Sequence, residues 1–179
     1  MRYCVFCGSN RGASPSYASA VADLARCLAA NRIGIVYGGG AVGLMGVLAD
    51  AALAEGGEVV GVIPRMLVDR EMAHPGLSEL RVVGSMHERK ALMADLSDGF
   101  IAAPGGYGTL DEFCEILTWT QLGLQRKPVG MLNVDGYFDH LLALFDHAVT
   151  ERFVKPMHRD MIVTDATPES LIARMRVPG

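Results

Sequence analysis

The stretch PGGYGTLDE, residues 104–112, joins a glycine-rich turn to two adjacent carboxylates. A glycine turn that opens a helix presents free backbone N–H groups, and the helix dipole favours an anion beside them. Asp111 and Glu112 would repel that anion. The pattern therefore predicts either a ligand with two chemically different ends or a capping box, in which Thr109 is the N-cap and Glu112 is the N3 residue.

A buried arginine is predicted in the segment SMHERKALMADLS. Ser85 and Glu88 have the spacing of a capping box, which accounts for Glu88. At about 100° per residue, Arg89 falls near the centre of an apolar arc within residues 86–96. Because burying a lone charge is expensive, Arg89 must form a structural ion pair or reach into a ligand-binding cleft. Lys90 lies at the edge of the arc, and both roles are open to it.

A nucleoside monophosphate has the two different ends that this pattern requires. Its phosphate is anionic, and its N-glycosidic carbon lies several ångströms away. Breaking the glycosidic bond generates positive oxocarbenium character on the ribose, which carboxylates stabilise while one of them activates water. The glycine turn would hold the phosphate, the carboxylates would act on the sugar, and an arginine would orient the leaving base.

The elements that must position these residues alternate along the chain. Short β-rich apolar runs separated by helical patterns predict βαβ units, and therefore an α/β fold with a doubly wound parallel sheet. No Pro- or Ser-rich linker divides the chain, so we predict a single domain over residues 1–179. The predicted strands are 2–8, 34–39, 58–64, 79–84, 99–105, 128–133 and 160–165. The predicted helices are 15–31, 43–56, 85–97, 109–123, 136–152 and 168–176.

Glycine-rich turns follow three of the predicted strands, at residues 7–12, 37–43 and 104–109. In a parallel sheet these turns share one edge, where ligands bind near the switch point of the strand order. The middle turn matches G-x-G-x-x-G from Gly38 to Gly43. That motif follows the second strand, however, and the next strand ends without an acid to hold a ribose hydroxyl. We therefore expect one nucleotide rather than a dinucleotide, unless the turns are only tight connections.

The composition excludes several classes of protein. A net charge of -4 and a pI of about 5.7 argue against a nucleic-acid-binding surface, which needs clustered basic residues. The first residues lack the apolar segment of a secretory signal. The longest uncharged stretch, residues 33–49, contains six glycines and is typical of a strand, turn and helix rather than a membrane span. We expect a cytoplasmic protein with no membrane or nucleic-acid partner.

The spacing of the cysteines argues against a metal or redox centre. Cys4 and Cys7 form a C-x-x-C pair, but both lie on the first predicted strand. Side chains three residues apart on a strand face opposite sides of the sheet, so the two thiols cannot readily pair or share a metal ion. We expect Cys4, Cys7, Cys27 and Cys114 to be buried and reduced.

The motifs resemble those of the LONELY GUY family of cytokinin riboside 5′-monophosphate phosphoribohydrolases, long labelled "possible lysine decarboxylase". The segments VFCGSNRGASPSY, VYGGGAVGLMGVLADAAL, GVIPRML, MHERKALM and PGGYGTLDE occur in family order over nearly the whole chain. The last two match M-H-x-R-K and P-G-G-x-G-T-x-x-E. Asn10 replaces a serine common in the family, and Asp111 replaces a glutamate frequent in plant members. Neither change removes a catalytic group.

The resemblance implies a Rossmann-like fold, no metal or other cofactor, and a homodimer with the site close to the subunit interface. It implies that Arg89 and Glu112 are the catalytic pair, and that a nucleoside 5′-monophosphate is cleaved to N6-substituted adenine and ribose 5-phosphate. Gly106, Gly108 and Thr109 would bind the phosphate. The full set of implied substrate-binding residues is Glu71, Lys90, Gly105, Gly106, Tyr107, Gly108, Thr109, Leu110, Asp111 and Thr118.

Two other functions remain open from the residues. A non-catalytic carrier of a nucleotide or of molybdenum cofactor would need the glycine turns, but not the pair Arg89 and Glu112. Lysine decarboxylation is favoured least, because the chain has only three lysines and is short for a pyridoxal-phosphate enzyme. The preferred base is also left open. Candidate linings for an apolar N6 substituent are Met45, Met66, Leu67 and Trp119.

Overall fold

One fully parallel sheet of seven strands organises the computed structural model, which describes residues 1–68 and 72–176. The strand order is β4-β3-β2-β1-β5-β6-β7, and every neighbouring pair is parallel. The strands are β1 (Arg2–Phe6), β2 (Gly34–Tyr37), β3 (Val59–Pro64), β4 (Glu79–Val83), β5 (Gly99–Ala102), β6 (Val129–Leu132) and β7 (Ile162–Asp165). The predicted doubly wound α/β fold is confirmed.

The inner strands explain why the sequence shows apolar runs rather than alternation. Strands β2, β3, β5 and β6 are buried at every residue, because helices cover both faces of the sheet. The edge strand β4 is mostly exposed, which matches its charged residues Glu79 and Arg81. All of the predicted strands are therefore present, and the three that lead into glycine turns, β1, β2 and β5, end two to three residues before their predicted ends.

Helices pack in two layers. The core on one face of the sheet contains residues of α1, α2 and α7, and the core on the other face contains residues of α3, α4 and α5. The helices are α1 (Pro15–Ala30), α2 (Gly43–Ala54), α3 (Met86–Asp95), α4 (Tyr107–Gln121), α5 (Asp139–Thr150), α6 (Pro156–Arg159) and α7 (Pro168–Met175). None of the helices within the described residues is long and apolar enough to span a membrane.

Local backbone chemistry sets the helix starts. Ser14 caps α1 by accepting a hydrogen bond from the backbone N–H of Ser16, and Pro15 occupies its first turn. Helix α5 begins at Asp139 and not at the predicted residue 136, because Asp135 and Gly136 adopt left-handed φ values of 50° and 69°. The short helix α6 was not predicted from the sequence.

The strand order reverses between β1 and β5, and the glycine turns meet at this switch point. The backbone N–H of Gly8 donates to the carbonyl of Pro104 over 3.0 Å, which joins the first turn to the third. The N–H of Leu44 donates to the carbonyl of Gly8 over 2.9 Å, which joins the middle turn to the first. The predicted convergence of the three turns on one edge of the sheet is confirmed.

Gly43 provides a test of this convergence. Its φ is +62°, and a Cβ added there would lie 2.2 Å from the carbonyl carbon of Ser9. Gly43→Ala should lower the free energy of unfolding by about 2 to 5 kcal/mol, because left-handed strain and a backbone clash add together. Urea unfolding curves measure this loss.

Gly56→Ala is the matched control for Gly43→Ala. Gly56 also has a positive φ, of +70°, but no atom lies within 4 Å of its added Cβ. The free energy of unfolding of the control should therefore fall only by the cost of the left-handed conformation, about 1 to 2 kcal/mol. Equal losses in the two variants would contradict the close contact between the turns.

Candidate active site

A cavity of about 520 Å³ opens where the glycine turns meet. Its walls come from the first turn, the start of α2, the first turns of α3 and α4, and the segment after β6. Lys90, Leu110 and Thr118 are not among the lining residues, and Glu71 lies outside the described residues. The predicted site residues that the cavity brings together are Arg89, Gly105, Gly106, Tyr107, Gly108, Thr109, Asp111 and Glu112.

Arg89 is buried, with 5% of its surface exposed, as the position on the apolar arc predicts. Its Nη2 donates to the carbonyl oxygen of Gly38 over 3.0 Å. A Cβ on Gly38 would lie 2.1 Å from the same nitrogen. Gly38 is therefore a glycine because the guanidinium needs its space, which explains the first glycine of the G-x-G-x-x-G match without a dinucleotide.

The start of α4 differs from the predicted capping box. Its N-cap is Gly106, with φ −99° and ψ −152°, and Tyr107 is the first helical residue. Thr109 therefore occupies N3, and Glu112 lies in the second turn. The prediction of Thr109 as N-cap and Glu112 as N3 is wrong, because the chain enters the helix at the glycine turn itself. A capping role does not account for Glu112, whose half-buried side chain lines the cavity.

The glycines of this turn differ in what surrounds them. A Cβ on Gly105 would lie 2.1 Å from Thr109 Oγ1 and 2.8 Å from the backbone nitrogen of Gly8, so packing requires that glycine. Cβ atoms on Gly106 and Gly108 would meet nothing within 4 Å. The first N–H groups of a helix have no intrahelical acceptor. Open space beside such groups is suited to an anion that approaches the backbone closely.

Lys90 connects α3 to α4 instead of lining the cavity. Its Nζ lies 3.2 Å from Asp111 Oδ2 and 3.0 Å from Glu115 Oε2. Desolvation lowers the pKa of Lys90, but the hydrogen bonds to Glu115 and Asp111 outweigh it, so that the pKa is raised. The ammonium therefore stays charged and holds the helix of Arg89 against the helix of Glu112.

Leu110 and Thr118 face away from the cavity. Leu110 packs against the core of the face covered by α4. Thr118 is exposed, and its hydroxyl donates to the carbonyl of Cys114 in the same helix. It lines a smaller cavity of about 180 Å³ bordered by α4, α5 and α6. Within one chain, Thr118 is therefore separated from the other predicted site residues.

The apolar part of the large cavity only partly matches the sequence prediction. Met45 and Leu67 line it, whereas Met66 and Trp119 do not. The sequence reasoning missed several other lining residues. Two of them, Tyr17 and Tyr137, come after β1 and β6, which end at this edge of the sheet. That placement is the signal that could have identified them. The residues missed include Arg11, Tyr17, Leu44, Met86 and Tyr137.

The thiols of β1 lie on opposite sides of the sheet, as predicted. Cys4 belongs to one core and Cys7 packs against the other. All four cysteines are free; Cys4 is fully buried, whereas Cys7, Cys27 and Cys114 are partly buried, so the expectation of buried thiols holds in full only for Cys4. Burial raises the pKa of Cys7, and the negative charge of Glu112 raises it further.

Comparison with known proteins decides the family. Residues 45–175 match the family model described as "Possible lysine decarboxylase". Two cytokinin riboside 5′-monophosphate phosphoribohydrolases of Arabidopsis thaliana are 50% and 49% identical over 174 residues, which cover 97% of this chain and 80% and 81% of theirs. The chain belongs to the LONELY GUY family. The resemblance that the motifs indicated is confirmed.

Solved structures of molybdenum cofactor binding and carrier proteins share the fold. The molybdenum cofactor binding protein of Rippkaea orientalis superposes with a TM-score of 0.72 at 22% identity, covering 98% of this chain and 94% of its own. The molybdenum cofactor carrier protein of Chlamydomonas reinhardtii gives a TM-score of 0.73 at 18% identity, covering 98% and 95%. At these identities the likeness establishes a shared Rossmann-like architecture and nothing about the ligand.

The charge of Glu112 should contribute, after burial, to the low reactivity of Cys7. Removing the charge in Glu112→Gln lowers the pKa of the thiol, so that more reactive thiolate is present at a given pH. We expect faster labelling of Cys7 by iodoacetamide in this variant at about pH 8.5, near the ordinary thiol pKa. Peptide mass spectrometry measures the rate.

Cys27 serves as the internal control of the labelling experiment. Burial is the main cause of its raised pKa, and Glu112 is not among the contributors. Its labelling rate should be the same in both proteins. If Cys7 also reacts at an unchanged rate, the Glu112 carboxylate does not act on that thiol.

Proposed function

We propose that this chain hydrolyses the N-glycosidic bond of adenosine-type 5′-monophosphates, including N6-substituted ones. Water adds to the anomeric carbon of the ribose, and the base leaves with a proton, giving free base and ribose 5-phosphate. The observation that carries the proposal is that Arg89 and Glu112 line the same cavity as the open start of α4. The names of the Arabidopsis relatives support the same substrate class.

The phosphate would bind at the N-terminus of α4. The glycines at positions 106 and 108 leave space for its oxygens beside the first backbone N–H groups of the helix. The dipole of α4 adds favourable positive potential at this end. The neighbouring carboxylate of Asp111 is held by the Lys90 ammonium, which offsets its repulsion of the phosphate.

The sugar and the base would then lie deeper in the cavity, near Glu112 and Arg89. A carboxylate stabilises the oxocarbenium character of the ribose and accepts a proton from the attacking water. A guanidinium does not give up its proton in proteins, so Arg89 would stabilise the leaving base by hydrogen bonding and not as a general acid. Apolar side chains at Met45, Leu67 and Met86 could accommodate an N6 substituent.

Glu112→Gln tests the hydrolase directly. The amide keeps the shape of the side chain but cannot accept a proton from water. Release of free base from AMP and from N6-isopentenyl-AMP should fall by about 100-fold or more, the usual contribution of a positioned general base. Chromatography of the free base measures the rate, and calorimetry checks that AMP still binds.

The matched control is Glu88→Gln, which makes the same change outside the cavity. Glu88 Oε2 accepts a hydrogen bond from the N–H of Gly84, and a glutamine oxygen can accept the same bond. This variant should retain base release. A wild-type protein that binds AMP without releasing base would instead support the carrier function.

We also propose that the protein forms a homodimer through the side of α4, α5 and α6. Helix α5 has no fully buried residue in the single chain, although it carries several leucines and a phenylalanine. Apolar side chains are well exposed on and between these helices, and contiguous patches of this kind mark interaction surfaces. They are Leu122, Leu124, Leu144, Phe153 and Met157.

Sedimentation velocity tests the dimer. Wild type should sediment at twice the chain mass of 19.2 kDa, and Leu144→Asp should shift it towards the monomer by burying a charge in the interface. Val82→Asp is the control, because Val82 is exposed on the edge strand β4 at the far side of the sheet. A monomeric wild type, or dissociation by the control variant alone, would contradict this interface.

A further inference from the structure

Tyr137 lies outside the family motifs and contacts the third glycine turn. It follows β6, lines the large cavity, and donates a hydrogen bond from its hydroxyl to the carbonyl oxygen of Gly105 over 2.5 Å. The bond joins residues 32 positions apart. Nothing in the sequence motifs assigns Tyr137 a role.

The carbonyl of Gly105 and the N–H of Gly106 belong to one planar peptide unit. In a trans peptide these two groups point in opposite directions, so a hydrogen bond to the carbonyl also fixes the direction of the N–H. The unit lies between two glycines, which rotate about their backbone bonds more freely than other residues. A flip of this peptide would turn the N–H away from an anion and present a carbonyl oxygen to it.

The surroundings of Tyr137 hold its ring in place. The ring meets Tyr17 edge to face, with centroids 5.4 Å apart, and meets Phe138 in the same way at 4.9 Å. Tyr17 in turn packs over Gly12, where a Cβ would lie 2.8 Å from its ring. The side-chain oxygen of Asn133 accepts a hydrogen bond from the N–H of Phe138 over 2.7 Å. The hydroxyl is therefore carried by an aromatic pair that contacts both the first and the third glycine turns.

We propose that Tyr137 is a positioning residue for the phosphate end of the substrate. Its hydroxyl holds the Gly105–Gly106 peptide in the orientation that directs the Gly106 N–H to the bound phosphate, and it prevents the flip. The hydrogen bond also polarises the peptide, which makes the N–H a better donor. This role rests on the proposed function, since it assumes a ligand whose phosphate binds at the start of α4.

A positioning role at the phosphate predicts a selective effect. Substrates that carry a 5′-phosphate use the Gly106 N–H, whereas a nucleoside without phosphate does not. Loss of the hydroxyl should therefore weaken binding of phosphorylated ligands and leave the nucleoside unaffected. A tyrosine that only stabilised the fold would affect both classes of ligand equally.

Tyr137→Phe tests this role, because it removes the hydroxyl and keeps the two ring contacts. The Kd for ribose 5-phosphate, measured by calorimetry, should rise about three- to tenfold, the range for one lost hydrogen bond. KM for AMP should rise by a similar factor, with kcat changed by less than about twofold. The kcat/KM for adenosine, however low, should not change. A thermal melt confirms that the variant is folded.

Tyr3→Phe is the control, since it removes a tyrosine hydroxyl on β1, outside the cavity, and leaves Gly105 untouched. It should keep the wild-type ratio of AMP to adenosine turnover. Equal losses on AMP and adenosine in Tyr137→Phe, or no change in the Kd for ribose 5-phosphate, would overturn the proposal. A wild-type protein that does not bind ribose 5-phosphate would overturn it as well.

Base release from AMP and the Kd for ribose 5-phosphate test the hydrolase function and the role of Tyr137 separately. If wild type releases no base from AMP, the hydrolase proposal fails, and the ribose 5-phosphate comparison alone decides whether Tyr137 positions the phosphate site. If wild type releases base but Tyr137→Phe binds ribose 5-phosphate normally, the hydrolase stands and the role of Tyr137 is refuted.

Discussion

The geometry of the site depends on one buried charge, the guanidinium of Arg89. Helix α3 carries it on the same side as Met93, which is 1% exposed, so the helix cannot bury its apolar stripe without burying the arginine. The carbonyl of Gly38 accepts one of its hydrogen bonds, and the missing side chain of that glycine lets the cation approach β2. The position of α3 over the sheet therefore also fixes a cation beside the switch point.

The apparent conflict between a glycine turn and two carboxylates is resolved by helix geometry. Successive residues of a helix point about 100° apart, so Asp111 and Glu112 diverge. Both side chains line the cavity, but Asp111 also pairs with the Lys90 ammonium, together with Glu115. Asp111 therefore shares one ammonium on α3 with Glu115, and Glu112 lies near the proposed position of the sugar. The bridge through Lys90 also couples the helices that carry the two proposed catalytic groups.

Those features that follow from local periodicity could be predicted from the sequence. The alternation of apolar runs and helical patterns predicted the parallel sheet, and the arc on α3 predicted a buried Arg89. The start of α4 was misassigned because Thr109 is the better N-cap by residue type, whereas tertiary contacts of Gly105 with Gly8 set where the helix begins. Periodicity does not identify Tyr137, whose contact joins segments distant in the chain; only its place after β6, at the same edge of the sheet, points to it.

The glycines of the third turn fall into two kinds: one is required by packing within the chain, and the others face open space. At position 105, contacts inside the chain exclude any side chain. Position 108 lies inside α4, where glycine costs about 0.5 to 1 kcal/mol relative to alanine, and its Cβ direction is open. Packing within the single chain does not require a glycine at position 108. A molecule that approaches the backbone there explains the glycine better. Gly106 is the N-cap, where glycine carries no such cost, but its Cβ direction is equally open, and it connects the proposed phosphate site with the peptide that Tyr137 holds.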